Sequence, residues 1–199
     1  LSDAERDAIA EKLHMYTGLS VQYLKEANLR VNPSRFRKEL LRGERLTMGR
    51  YDARFEGVDS DAAGENPETD PSDTGISGAF TAAFNDYLVR ELHYPSDVPY
   101  KVMSSAIRSW DWKHKVPGSN WPVPLPIMVN DLGMTMRENP HLKVLSANGW
   151  FDLATPFFAT EYDLAHLGID AKLRKNLTIT YYPSGHMVYL NVDALKRFK

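Results

Sequence analysis

A chain of 199 residues is long enough for one hydrophobic core, or for a small core with an appended layer. An apolar share of 43% and a charged share of 25% exclude a disordered chain, and a net charge of −2 gives no electrostatic case for binding nucleic acid. The absence of cysteine excludes disulfides, thiol catalysis and cysteine-built zinc sites, and no apolar run approaches the roughly 18 residues that a membrane span needs.

In chain order, Ser2-Asp3-Ala4-Glu5 is a capping-box pattern and predicts a helix from about Asp3 to His14, broken by Tyr16-Thr17-Gly18. Val21, Leu24 and Ala27 fall at helical spacing in a second helix, Ser20 to Asn28. Asn32-Pro33 reads as N-cap and first residue of a third helix, Pro33 to Leu41, closed by Gly43. Arg30, Arg35, Arg37, Lys38, Arg42, Arg45 and Arg50 form a local basic stretch, read as a solvated helix face because acidic residues follow it directly.

Residues 57–77 read as one long polar loop, rich in Asp, Ser, Gly and Pro. Asp59, Asp61, Gly64 and Asp70 faintly match a calcium loop, but Ala63 stands at the fifth position and no glutamate at the twelfth, so a solvated acidic loop is the better reading. An amphipathic helix is expected from Ala79 to Leu92, with Phe80, Ala83, Phe84, Tyr87 and Leu88 at helical spacing. Residues 94–124 carry many prolines and tryptophans and read as irregular packed structure. Histidines 14, 93, 114, 141 and 166 show no ligand spacing, and neither a metal nor a cofactor is expected.

After Pro126 the pattern changes. A helix is expected from Pro126 to Arg137, a buried strand from Leu142 to Ser146, and a helix that starts at Thr155-Pro156 and reaches about His166. Asn176 to Tyr182 alternates β-branched and aromatic residues and reads as the next strand, with Asn191 as the cap of a terminal helix. Strand, helix, strand, helix within some sixty residues is a βαβ unit, whose crossover pairs parallel strands. The expected fold is therefore α/β, with a mainly helical region over 1–125 and an α/β portion over 126–199.

Asp152 follows the first of these strands and His186 the second, and open α/β sheets collect their chemistry beyond the C-terminal strand ends. An imidazole there can serve as general base, with a buried carboxylate fixing its tautomer. Taken singly, Asp152 is more readily a turn or cap residue before the helix than a catalytic acid, and His186 more readily an ordinary loop histidine than a base. The pair is more specific, because an Asp followed by a His near the C-terminus is the order of an α/β-hydrolase triad. The Gly-x-Ser-x-Gly elbow of that triad is not in the chain.

Gly149-Trp150-Phe151-Asp152-Leu153-Ala154-Thr155-Pro156 and Ser184-Gly185-His186-Met187-Val188 resemble the acid and histidine segments of the serine carboxypeptidase family, the peptidases like carboxypeptidase Y and cathepsin A. Gly49-Arg50-Tyr51-Asp52-Ala53-Arg54-Phe55 and Thr81-Ala82-Ala83-Phe84-Asn85-Asp86-Tyr87-Leu88 resemble the part that bacterial members insert over the active site. Tyr189 departs from the family, which has proline there. The resemblance implies the C-terminal part of an α/β-hydrolase fold behind a helical cap. It makes Asp152 the triad acid and His186 the triad base, and it lets Met187 line the pocket for the residue leaving a peptide's C-terminus; a flexible core filler is the equal reading of Met187.

It further implies a peptide substrate, a periplasmic or secreted location, and a nucleophilic serine and oxyanion hole in a preceding N-terminal half. These 199 residues alone are then expected not to cleave peptides, and their short sheet is expected to be covered by a homodimer, a swapped assembly or the chain's own helices. A same-fold acyltransferase or lyase, and a non-enzymatic interaction domain, are the alternatives.

Overall fold

The computed structural model describes residues 1–94, 97, 100–101 and 104–198. The reading of 94–124 as irregular thus falls partly outside the described residues, at 95–96, 98–99 and 102–103. Helix and strand are mixed: eight α-helices and two two-stranded sheets among the described residues. The chain forms two compact units, the first from residues 1–77, 149–154 and 183–199, the second from 78–148 and 155–182. Both units are discontinuous in sequence, with the chain passing between them at 77/78, 148/149, 154/155 and 182/183.

In the first unit, helix α1 spans Asp3–Thr17. Its capping box is complete, with Glu5 N–H donating to Ser2 Oγ at 3.3 Å and Ser2 N–H to Glu5 Oε2 at 2.7 Å. The helix outruns its expected end because Tyr16 and Thr17 do not break it; Gly18, at φ 75°, supplies the left-handed cap. Helix α2 (Val21–Glu26) is shorter than its expected span and has Ser20 as its cap, Oγ accepting from Tyr23 N–H, whereas α3 (Pro33–Glu39) starts where its cap predicts, with Asn32 Oδ1 accepting from Arg35 N–H. Ala10, Leu19 and Leu24 are buried between these helices, with Leu13, Phe36 and Leu40 packed on them. Helices pair their backbone groups internally except at their ends, where Ser2, Ser20 and Asn32 cap them, so this core closes without a sheet.

Strands β1 (Leu46–Met48) and β2 (Glu56–Val58) then pair antiparallel, Leu46 opposite Val58. Neither was expected, since three residues are too few to show an alternating pattern.

The basic stretch is corrected by burial. Arg37 and Lys38 are buried, not solvated. The Lys38 ammonium pairs with the buried Asp59 carboxylate and donates to the Asp61 carbonyl, so it occupies the middle of the acidic loop. Arg42 donates to the carbonyls of Ala62 and Gly64, and Arg35 pairs with Glu65 at 3.0 Å. Charge from α3 and the turn after it thus orders a loop that has few apolar residues to bury.

That loop is shorter than expected. Helix α4 runs Pro71–Arg90, starting eight residues before Ala79. Asp70 caps it, with Oδ1 accepting from Ser72 N–H at 3.1 Å and its carbonyl accepting from Asp73 and Thr74 N–H. Asp70-Pro71 repeats the N-cap and proline pattern of Asn32-Pro33.

The second unit holds the rest of α4, α5 (Val129–Glu138), β3 (Val144–Gly149, whose last residue belongs to the first unit), α6 (Phe157–Ala165), α7 (Ala171–Arg174) and β4 (Leu177–Tyr182). Val144 N–H donates to the Asn176 carbonyl and Asn148 Nδ2 to the Thr180 carbonyl. The constant offset of 32 residues is that of parallel strands, as a βαβ crossover requires. Helix α6 begins at Phe157, because Pro156 is itself the extended cap at ψ 132°. Met136, Leu164, Leu167 and Ile169 form the buried core here. Helix α8 (Val192–Phe198) returns to the first unit, with Asn191 Oδ1 accepting from Ala194 N–H at 2.9 Å as the cap predicted. Among the described residues, no helix is long and apolar enough to cross a membrane.

Candidate functional site

Asp152 and His186 lie in the first unit, on the segments that follow β3 and β4. His186 Nδ1 stands 2.9 Å from Asp152 Oδ2. A carboxylate can only accept, so Nδ1 carries the proton and the lone pair falls on Nε2. The Asp152 side chain is 5% exposed and the imidazole 38%, which places a buried acid behind a base that solvent can reach. The turn reading of Asp152 also holds: Oδ1 accepts from Ala154 N–H at 2.7 Å. One oxygen shapes the loop and the other orients the histidine.

Two glycines permit this approach. A Cβ on Gly149 would lie 2.2 Å from the Gly185 carbonyl oxygen, and one on Gly185 would lie 2.1 Å from the Tyr51 carbonyl oxygen. Phe151 N–H donates to the Ser184 carbonyl at 3.1 Å, which ties the two loops directly.

The segment from Gly49 to Phe55 laces onto both loops. Leu153 N–H donates to the Arg50 carbonyl at 3.0 Å, Ala53 N–H to the Phe151 carbonyl at 2.9 Å, and His186 N–H to the Tyr51 carbonyl at 2.6 Å. The Tyr51 ring lies 5.4 Å from the His186 ring, and the Arg50 guanidinium sits over the Tyr51 ring at 5.5 Å. Arg54 grips Asp52 through two hydrogen bonds, donates to the Pro183 carbonyl at 3.2 Å and covers the Phe151 ring. Its hydrogen bond to Asp52 raises the guanidinium pKa above its usual value.

Met187 lines a cavity of about 320 Å³ together with Tyr51, Phe55, Ile76 and Leu190. The volume is at the small end for ligand pockets and the walls are mainly apolar. Asn191, Ser184 and the Asp52–Arg54 pair supply its polar edge.

Of the three residues singled out from the sequence, Asp152 and His186 are in contact, while Met187, next to His186 in the chain, lines a cavity of which neither of the other two is a wall. Sequence reasoning missed the roles of Tyr51, Asp52, Arg54 and Ser72, although the Gly49–Phe55 segment had been noticed. The missed signal was Asp70-Pro71, which marks a helix start and so a rigid mount beside that segment. In the second unit, His114 Nε2 lies 2.9 Å from Asp131 Oδ2, a pairing that spacing alone did not suggest. Among the described residues, no group of three or more His, Cys, Asp or Glu side chains is arranged to hold a metal ion.

Compared with models of protein families, with curated proteins and with solved structures, the chain matches none.

Proposed function

We propose that this chain is the C-terminal part of a serine carboxypeptidase, an α/β-hydrolase that releases amino acids from the C-terminus of peptides. The observation that carries the reading is the 2.9 Å contact between His186 Nδ1 and a buried Asp152, on loops that follow two parallel strands in the order Asp then His. A nucleophilic serine, supplied by sequence that precedes residue 1, completes the triad.

In that scheme His186 Nε2 takes the serine hydroxyl proton as the serine oxygen bonds to the scissile carbonyl carbon. Asp152 stabilises the imidazolium. The imidazolium then gives its proton to the departing amine as the carbon–nitrogen bond breaks, and water repeats the sequence to free the acyl group. The Met187 cavity accepts the side chain of the departing residue.

Side chains of Asp152 and His186 far apart would have favoured the non-enzymatic alternative; their 2.9 Å contact supports the enzymatic reading instead. An acyltransferase would use the same pair, and product analysis separates the two.

The test is release of C-terminal amino acids by the protein that includes the preceding sequence. His186→Ala is expected to lower kcat by at least about 10³-fold without unfolding the chain. Retained turnover in that variant removes His186 from the mechanism. No amino-acid release from a protein with serine, Asp152 and His186 in place overturns the peptidase reading.

A further inference from the structure

The hydrogen bonds that align Asp152 with His186 run through two consecutive peptide groups of the Gly49–Phe55 segment. The first, between Arg50 and Tyr51, accepts Leu153 N–H at its carbonyl, one residue beyond Asp152. The second, between Tyr51 and Asp52, accepts the N–H of His186 itself. A peptide group is planar, so the direction of its N–H sets the direction of its carbonyl. The first group's N–H, that of Tyr51, donates to Ser72 Oγ at 3.0 Å.

Ser72 is well placed to hold that plane. It is 3% exposed and sits in the first turn of α4. Its hydroxyl donates to Asp70 Oδ1 at 2.6 Å, which turns its lone pair toward Tyr51. Asp70 Oδ1 also accepts Arg50 N–H at 2.9 Å, and the Arg37 guanidinium stands 3.8 Å from it. Burial pulls the Arg37 pKa down, while Asp70 opposes that shift. A chain of contacts thus runs from a buried cation, through Asp70 and Ser72, to the two peptide groups that hold the pair.

We propose that Ser72 is a positioning residue for Asp152 and His186, acting through the Arg50–Tyr51 peptide, with Asp70 fixing its hydroxyl. The catalytic meaning of this rests on the function proposed above; the alignment is a property of the chain by itself. Without the hydroxyl, the part-buried Tyr51 N–H loses its acceptor, and the peptide turns to find another. Turning it moves the Arg50 carbonyl off Leu153 and draws the Tyr51 carbonyl from His186.

The readout is proton NMR of the 199-residue chain labelled with ¹⁵N-histidine. A hydrogen-bonded Nδ1–H of His186 gives a downfield signal, and the ring N–H that His114 directs at Asp131 serves as an internal reference. Ser72→Ala is expected to lose the His186 signal and to speed exchange of the His186 backbone amide at least tenfold. It should leave the His114 signal in place, and Ser72→Thr, which keeps a hydroxyl, should restore the His186 signal. An unchanged His186 signal and amide exchange rate in Ser72→Ala overturns the proposal.

If Ser72→Ala does not fold, Asp70→Ala against Asp70→Asn carries the same test. Loss in the alanine variant alone supports the proposal, and equal signals in both overturn it. A chain that responds as expected but belongs to a protein releasing no amino acids keeps the alignment and loses the proposed function. A peptidase whose His186 signal ignores Ser72 loses only the alignment.

Discussion

Replacing Asp59 by asparagine tests whether the acidic loop is held by charge. The Lys38 side chain is 1% exposed and the Asp59 side chain 2%, and the other partner of the ammonium is the Asp61 carbonyl. Removing the carboxylate leaves a buried cation with neutral acceptors, which costs about 3–5 kcal/mol. At about 2–4 °C per kcal/mol for a chain of this size, the melting temperature should fall by about 6–20 °C. Lys38→Met alone should cost a similar amount, since Asp59 Oδ1 already lacks a hydrogen-bond partner and both oxygens would then be unpaired. The double variant Lys38→Met with Asp59→Leu should lose less than either single change, because no charge is left buried. Urea unfolding followed by circular dichroism gives all four free energies. A D59N cost below about 1 kcal/mol, or a double variant that equals the sum of the singles, refutes the account of a charge-ordered loop.

The glycine contact at the site makes a second prediction: Gly185→Ala should destabilise by about 2–3 kcal/mol through overpacking, while Gly43→Ala, with nothing within 4 Å, should change stability by less than about 0.5 kcal/mol in urea titrations. In the second unit, the hydrogen bond from Tyr181 to Glu161 raises the phenol pKa above its usual 10.0. A raised acid pKa means the neutral form is favoured by folding, so this contribution is full below the ordinary phenol pKa and is lost as pH rises through the raised value. Carbon-13 tyrosine NMR should show Tyr181 titrating higher in the wild type than in Glu161→Ala, which has no acceptor; equal titration in both proteins removes the hydrogen bond as the cause.

Much of the local structure was legible because it depends on neighbours in sequence. Ser2, Asn32 and Asn191 each satisfy helix donors within three residues, and all three expected caps formed. The parallel pairing of β3 and β4 followed from the strand–helix–strand order. Asp70-Pro71 carried the same kind of signal, yet it was read as loop because polar composition on its N-terminal side outweighed it. Strands β1 and β2 left no readable trace, since their stability comes from pairing and not from their own six residues.

The candidate site divides in the same way. The order and loop positions of Asp152 and His186 belong to the sequence alone, and they sufficed to expect a carboxylate–imidazole pair. Three-dimensional contact decided everything that holds the pair in register: the glycine contacts, the Tyr51 carbonyl on His186, and Ser72 behind Tyr51. It also reversed the reading of the basic stretch, turning Lys38 from a solvated residue into the cation inside the acidic loop. The physical reason is common to both. Caps and periodicity are set over three or four residues, whereas a buried charge or peptide group needs a partner that can lie anywhere in the chain, and only the folded backbone says where.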